Sequence, residues 1–231
     1  WVGGTPVRSS PVVTLIRPTP NSYINQETVQ LSAEVGGECN YANYCRFAYR
    51  PTGNGTWFTI TDDDNSFDGW GDLWDLHSLQ DGVYDVMALA SPWAGSGAHE
   101  INSNITIDRT PPHLESVSFS PSAPSGANTV EIHIQASDSV AGVDHITAYH
   151  YGARDGSSSG DLVHIGTITE SSGVVLWDIS RLPNGEYRVV FQIGDRADNW
   201  DFWTDGNQPT ITYHINRSII FLPLALRDMQ R

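Results

Sequence analysis

The residues best suited to chemistry in this sequence are four aspartates in one predicted loop, Asp62, Asp63, Asp64 and Asp68. Carboxylate oxygens are the hard ligands that Ca²⁺ prefers. Their spacing is not that of an EF-hand loop, which needs acidic residues at alternate positions and a glutamate at the twelfth. Two interpretations stay open, a calcium site and a solvated turn, and the sequence indicates no other cofactor.

The two cysteines, Cys39 and Cys45, form the second candidate group. They flank a short polar stretch, so a local disulfide between them is expected, with two unrelated buried thiols as the alternative. A metal centre at this place would need two further ligands at suitable spacing, which are missing.

Nucleophilic catalysis finds little support in the sequence. The Gly-x-Ser-x-Gly elbow is absent, and Ser96 and His99 lie too near each other in an extended chain to form a triad. A glycosidase-type carboxylate pair from separate strands stays open, although two small domains leave little room for a deep cleft. We therefore expect a protein that is not an enzyme.

Aromatic side chains in or beside predicted loops form a candidate ligand-binding set. Flat exposed rings can stack on sugar faces, whereas buried rings would cap the ends of the fold. The set comprises Trp70, Trp93, Trp200, Trp203, Tyr41 and Tyr44.

The elements that position these residues are revealed by a repeat. Segment Trp74–Val86 aligns without a gap to Trp177–Val189, which begins 103 residues later. Each copy has a tryptophan suited to a core between two sheets, then a tight turn, Asp81-Gly82 or Asn184-Gly185. A tyrosine then opens a strand of alternating apolar residues, which is the pattern of a tyrosine corner.

This repeat resembles the immunoglobulin-like and fibronectin-III-like modules of secreted bacterial proteins. Asp195-Arg196-Ala197-Asp198-Asn199 is similar to the Asp-x-Ala-Gly-Asn turn of such modules, with Asp198 where glycine is usual. Asp108-Arg109-Thr110-Pro111-Pro112 resembles their junctions. The resemblance implies an all-β fold of two tandem immunoglobulin-like antiparallel sandwiches, and it says little about function.

The predicted organisation follows from turn residues and strand patterns, with seven short strands per domain. Two consecutive prolines at 111 and 112 predict a short, stiff linker. The predicted parts are a lead at 1–10, a first sandwich at 11–108, a linker at 109–113, a second sandwich at 114–217 and an apolar tail at 218–231.

The tail is the strongest candidate for assembly. It contains Ile219, Ile220, Phe221, Leu222, Leu224 and Leu226, too short an apolar run to span a membrane. Such a segment must bury its side chains on its own domain or on a neighbouring chain, and both alternatives stay open.

Composition restricts the partners. A formal net charge of −15 with 12 basic residues argues against nucleic acid or an anionic membrane. We therefore expect a non-catalytic extracellular or cell-surface module of a bacterial protein that binds protein or glycan, with a surface-assembly or filament subunit as the most specific version. An accessory carbohydrate-binding module and a passive spacer of a larger secreted enzyme are the alternatives.

Overall fold

The computed structural model describes residues 12–36, 42–65, 67–92, 97–123, 125–152, 161–202 and 211–217. Every regular element in these ranges is a β-strand. The described part of the chain contains no helix with the length and apolarity needed to cross a membrane.

The chain divides into two compact units. Unit 1 comprises Trp1–Pro112 with Asp138–Gly142 and Gly194–Trp200, and unit 2 comprises His113–Ser137, Val143–Ile193 and Asp201–Arg231. Two short segments of the predicted second sandwich therefore group with unit 1.

Unit 1 is built from two antiparallel sheets. Its strands are β1 (Val12–Arg17), β2 (Tyr23–Ile24), β3 (Thr28–Gly36), β4 (Ala42–Pro51), β5 (Phe58–Asp63), β6 (Trp70–Asp75), β7 (Gly82–Pro92) and β8 (Ala98–Ile107). One sheet has the order β1-β3-β6. The other has the order β2-β8-β7-β4-β5, in which the short β2 is the exception and runs parallel to β8.

The core of unit 1 lies between these sheets because its strands alternate buried and exposed residues. Trp74 from one sheet and Val86 from the other are both buried, as are Leu31, Phe47 and Ile105. These are the apolar positions that the alternation in the sequence predicts.

Unit 2 repeats the arrangement. Its strands are β9 (His113–Ser120), β10 (Thr129–Ser137), β11 (Val143–Gly152), β12 (Val163–Ile168), β13 (Ser172–Asp178), β14 (Gly185–Asp195), β15 (Trp200–Phe202) and β16 (Ile211–Ile215). They form the sheets β13-β10-β9 and β12-β11-β14-β15, and β16 also pairs with β14. Ile132, Ile146, Trp177, Phe191 and Tyr213 are buried in its core.

Both predicted tyrosine corners are present. The Tyr84 hydroxyl donates to the Gln80 carbonyl at 2.7 Å, and the Tyr187 hydroxyl donates to the Pro183 carbonyl at 3.0 Å. Each bond ties a strand to the turn before it, which explains why the tyrosine recurs in the repeat.

An arginine after the last strand closes each unit at the same turn. Arg109 donates through Nη1 to the Leu76 carbonyl at 2.8 Å and through Nη2 to the Leu79 carbonyl. Arg217 donates to the carbonyls of Ile179 and Leu182. The guanidinium thus satisfies turn carbonyls that no strand partner reaches.

The strand order, the two facing sheets and the two tyrosine corners identify each unit as an immunoglobulin-like, fibronectin-III-like β-sandwich. All fourteen strands predicted from the sequence are present, and the structure adds β2 and β15. These two strands contain two and three residues, too few to show a sequence period.

Candidate functional site

Three carboxylates converge in unit 1, from Asp108, Asp138 and Asp195, with one oxygen of each within 4.8 Å of the others. Asp108 follows β8, Asp138 follows β10 and Asp195 is the last residue of β14. Asp108 is 0% exposed and Asp195 is 3% exposed, while Asp138 is half-buried. Burying acidic side chains together is costly, so these three form the candidate functional site.

Backbone N–H groups hold each carboxylate in place. Asp195 Oδ1 accepts from the amides of Ala197 and Asn199 at 2.7 and 2.9 Å. Asp138 Oδ1 accepts from Gly142 at 2.6 Å, and Asp108 Oδ2 accepts from Ala141 at 2.7 Å. The loops therefore wrap around the acids rather than merely carry them.

Two residues with positive φ make these turns possible. Asp198 has a φ of 61° and Gly142 a φ of 78°, both in the left-handed region. Aspartate tolerates this region better than most residues, which explains how Asp198 replaces the usual glycine. Asn199 then donates through Nδ2 to the Asp108 carbonyl and to Asp195 Oδ2, each at 2.9 Å.

The surroundings of the site disfavour the ionised form of the Asp108 carboxylate. Burial raises the pKa of Asp108 above its ordinary 3.8, and the nearby Asp138 and Asp195 raise it further, against the opposing effect of two backbone hydrogen bonds. Within the described ranges, no basic side chain forms an ion pair with any of the three. Chemically, the cluster can take up a proton or a hard cation, since its donors are carboxylate oxygens.

The sequence did not predict this site, because its members lie far apart along the chain. Asp195 was noted only as part of a turn that resembles those of known modules. Asp108 was noted only as part of a segment that resembles their junctions. One overlooked signal was the match of Asp108-Arg109-Thr110 to Asn216-Arg217-Ser218, in which the acid becomes an amide after the second sandwich.

The acidic loop that the sequence predicted as a calcium site, with Asp62, Asp63, Asp64 and Asp68, differs from this buried cluster. Asp62 is tied to Arg46 by two bonds of 2.6 and 2.7 Å, and the Asp63 carboxylate accepts from the amides of Asn65 and Gly71. Asp64 and Asp68 are exposed. Calcium binding at this loop stays a prediction, and two of its four carboxylates already have protein partners.

The disulfide prediction is not supported. Cys45 is a free thiol that points into the core from β4, and burial raises its pKa to about 12. Cys39 lies outside the described residues. The apolar alternation of β4, which places Cys45 two residues before buried Phe47, was the stronger signal.

The aromatic set is not displayed as a group in the described residues. Trp70 is 9% exposed and packs in the core of unit 1, so its prediction as an exposed ligand-binding ring was wrong. The ring belongs to the first residue of β6, whereas the sequence placed it in or beside a loop. Trp200 and Tyr44 are half-buried. Trp93, Trp203 and Tyr41 lie outside the described residues, as does the apolar tail with Ile219, Ile220, Phe221, Leu222, Leu224 and Leu226.

Comparison with known proteins gives structural likeness only. No protein-family model matches the sequence, and no curated protein matches it. The fibronectin(III)-like modules of Clostridium thermocellum CbhA are 15% identical, with a TM-score of 0.46 over 88% of this chain and 93% of theirs.

Two further solved structures are similar at the same level. The FN1–FN3 domains of chicken CNTN1 are 13% identical, with a TM-score of 0.49 over 90% of this chain and 67% of theirs. Three N-terminal domains of the bacteriophage RB49 outer capsid protein Hoc are 15% identical, with a TM-score of 0.47 over 89% of this chain and 69% of theirs. At these values the fold assignment rests on strand order and the corner hydrogen bonds.

Proposed function

We propose that this chain is a non-catalytic structural and interaction module of a bacterial cell-surface or secreted protein, and that it assembles with copies of itself through the apolar tail at 218–231. The observation that carries the proposal is that the polar residues repeated in both units have structural roles. Tyr84 and Tyr187, like Arg109 and Arg217, bond to turn carbonyls. Residues that recur in both units therefore build scaffold.

Several features support the absence of catalysis. The described cysteine, Cys45, is buried with a raised pKa, which makes its thiol a poor nucleophile. Asp108 and Asp195 are enclosed by backbone amides in a site with almost no exposed surface. A substrate would have little access to either group.

An extracellular location fits the chemistry of the surface. The net charge of −15 favours a well-hydrated protein and disfavours binding to nucleic acid. Paired rigid sandwiches present edges and faces without needing a cleft, which suits protein contacts.

Removal of residues 218–231 tests the assembly. The truncation keeps Arg217, so both turn caps remain and the units should stay folded by circular dichroism and thermal unfolding. We expect the full chain to form a concentration-dependent oligomer in analytical ultracentrifugation and the truncated chain to stay monomeric.

A shorter deletion gives the matched control. Removing only Asp228–Arg231 leaves the apolar segment intact and should preserve the oligomer. An unchanged oligomer after removal of 218–231 would contradict assembly through the tail.

Glycan binding is the rival function, and Trp200 and Tyr44 are its remaining described rings. Glycan-array binding that is lost in a Trp203→Ala variant and kept in Trp70→Phe would favour it over the assembly function. A passive spacer would show neither oligomers nor glycan binding.

A further inference from the structure

The free edge of β13 in unit 2 fits the role of acceptor for an added strand. We infer that it pairs with the segment Ile219–Leu222 of a second copy of the chain. The inference deepens the proposed assembly function and rests on it, because it names the surface that the tail would occupy.

Among the described strands, β13 pairs only with β10. Its residues Ser172–Asp178 pair with Thr129–Gln135 of β10 through seven consecutive positions without a register shift. The order β13-β10-β9 gives the other side of β13 no neighbour in its sheet among the strands that the structure describes. A regular edge of this kind keeps its unpaired N–H and C=O groups aligned to accept another strand.

β13 also lacks the devices that normally protect an edge. Its interior reads Gly-Val-Val-Leu-Trp, with no charge and no proline, and its one acid is the terminal Asp178. Natural sheets usually place charges, prolines or bulges on edge strands to prevent pairing with other chains.

Most other described edges carry such devices. Charged residues or register shifts occur in β1 with Arg17, in β5 with Asp62 and Asp63, in β6 with Asp72, in β9 with Glu115, in β12 opposite Ala148 and Tyr149 and in β15 with Asp201. Among the described strands of three or more residues that end a sheet, β13 and β16 (Ile211–Ile215) have neither an acid, Lys or Arg in their interior nor a proline or register shift, and β16 also has a bridge from Ile215 to Ser125.

The apolar side chains exposed on β13 are ones that an added strand could cover. Val174 is 45% exposed and Leu176 is 62% exposed, both on the outer face of the sheet. Their cross-strand neighbours in β10 are His133 and Glu131, which are polar. The apolar surface is thus confined to the edge strand, where side chains of an added strand would cover it as cross-strand pairs.

The chemistry of the tail matches this edge. Ser218–Leu226 has no charged residue, so it avoids the repulsion that the acidic remainder of the chain would create. Arg227 follows the apolar run, while Glu170 and Asp178 flank β13. Apolar residues on both faces suit a strand that is covered on both sides.

The position of Arg217 favours a second copy over the same chain. Arg217 is held under the turn after β13, by its side chain on Ile179 and Leu182 and by its amide on Asn184. It follows β16, which belongs to the other sheet, and facing sheets lie about 10 Å apart, a distance of roughly three extended residues. If the tail crossed from β16 to β13 within one chain, Ser218–Ile220 would be needed to span this distance. Only two residues would then remain to pair with β13 before Pro223, which lacks an N–H.

Charge placed on the edge tests the inference in the full chain. A Leu176→Lys variant puts a cation where the added strand would lie, and Leu73→Lys on β6 is the matched control because Leu73 is 61% exposed. We expect the dissociation constant of the oligomer to rise about tenfold or more in Leu176→Lys and to stay unchanged in Leu73→Lys.

The outcomes separate this inference from the proposed function. Loss of the oligomer on removing 218–231, without any effect of Leu176→Lys, would overturn β13 as the acceptor while keeping assembly through the tail. An oligomer that survives removal of the tail would overturn both.

Hydrogen exchange gives an independent measurement that does not depend on the lysine variant. A synthetic peptide of residues 218–227, added to the chain lacking 218–231, should slow exchange of the β13 amides. Slowed exchange in another strand instead, with β13 unaffected, would contradict the inference. Tail-dependent protection of β13 in a full chain that is monomeric would show pairing within one chain and would also overturn it.

Discussion

Units 1 and 2 repeat the same framework but fill one position around it differently. In unit 1, Tyr49 packs against Trp74 at 5.2 Å and Tyr84 at 6.0 Å between ring centroids. In unit 2 the ring in this place is His150, at 5.1 Å from Trp177 and 5.8 Å from Tyr187. His150 is buried, and its Nδ1 has no hydrogen-bond partner within the described ranges.

The arginine caps differ in a similar way. Arg109 forms an ion pair with Asp81, whose Oδ1 accepts from Nε at 2.9 Å. The residue corresponding to Asp81 is Asn184, and the buried Nε of Arg217 has no partner among the described residues. The repeat therefore preserves geometry, while the Nε bond that Arg109 makes to Asp81 has no counterpart at Arg217 among the described residues of unit 2.

The largest expected effect comes from the shared core tryptophans. Replacing Trp74 or Trp177 with alanine should destabilise the corresponding unit by about 3–5 kcal/mol, because each ring is buried between two sheets. Denaturant unfolding followed by hydrogen exchange in β7 and β14 should show that each change affects its own unit. Equal loss of protection in both units would contradict the division into two compact units.

The arginine caps should rank next. Arg109→Met should cost about 2–3 kcal/mol, since it removes bonds to two carbonyls and leaves Asp81 without its cation. Arg217→Met should cost less, because Nε of Arg217 forms no hydrogen bond to any residue that the structure describes. Chemical denaturation of both variants, monitored in the unit that carries the change, measures the difference.

A variant that adds a contact tests the same difference between the two arginine caps. Asn184→Asp gives Arg217 the carboxylate that Arg109 already has and should stabilise unit 2 by about 1 kcal/mol. A destabilised variant would show that the Asn184 side chain, which also donates to the Arg217 carbonyl at 3.0 Å, is needed as an amide.

The pH dependence of the two units should differ because of His150. Burial lowers the pKa of His150 below its ordinary 6.5, so the folded state keeps the ring neutral while the unfolded state takes up a proton. Stability of unit 2 is then complete above about pH 6.5 and falls by up to about 1.4 kcal/mol per pH unit below it. Thermal unfolding between pH 7.5 and 5 should show this loss in the wild type, and a smaller loss in His150→Phe.

These contrasts mark how far the sequence could be interpreted. The tryptophans, turns and tyrosines recur at one offset, so alternation and turn chemistry predicted the sandwiches. Trp70 was misplaced because strand ends are poorly determined by pattern. A disulfide was predicted at Cys45 because a second cysteine lies nearby, although Cys45 belongs to an apolar strand. The site of Asp108, Asp138 and Asp195 depends on loops that meet only after folding, which no local period records.

The smallest effect is expected at Asp108, where the two repeats differ by one atom type. A raised pKa means that the carboxylate costs stability as the pH rises above its unfolded value of 3.8, so the cost is larger at neutral pH than at pH 4. Asp108→Asn installs the amide found at Asn216 and removes this cost. It also loses the bond that Asp108 Oδ2 accepts from Ala141, so we expect a net change below about 1 kcal/mol at pH 7.

The pH dependence separates these two contributions. The wild type should lose more stability between pH 4 and pH 7 than Asp108→Asn, because only the wild type carries a buried charge at position 108.

Repeating the measurement with CaCl₂ and then EDTA distinguishes the two acidic groups. A rise in melting temperature that Asp108→Asn abolishes would place a cation at the buried cluster, and one abolished by Asp64→Asn with Asp68→Asn would place it at the exposed loop. If calcium has no effect on the wild type, only protonation relieves the buried charge. The pH profile should then account for the whole difference in stability between the carboxylate of Asp108 and an amide such as that of Asn216.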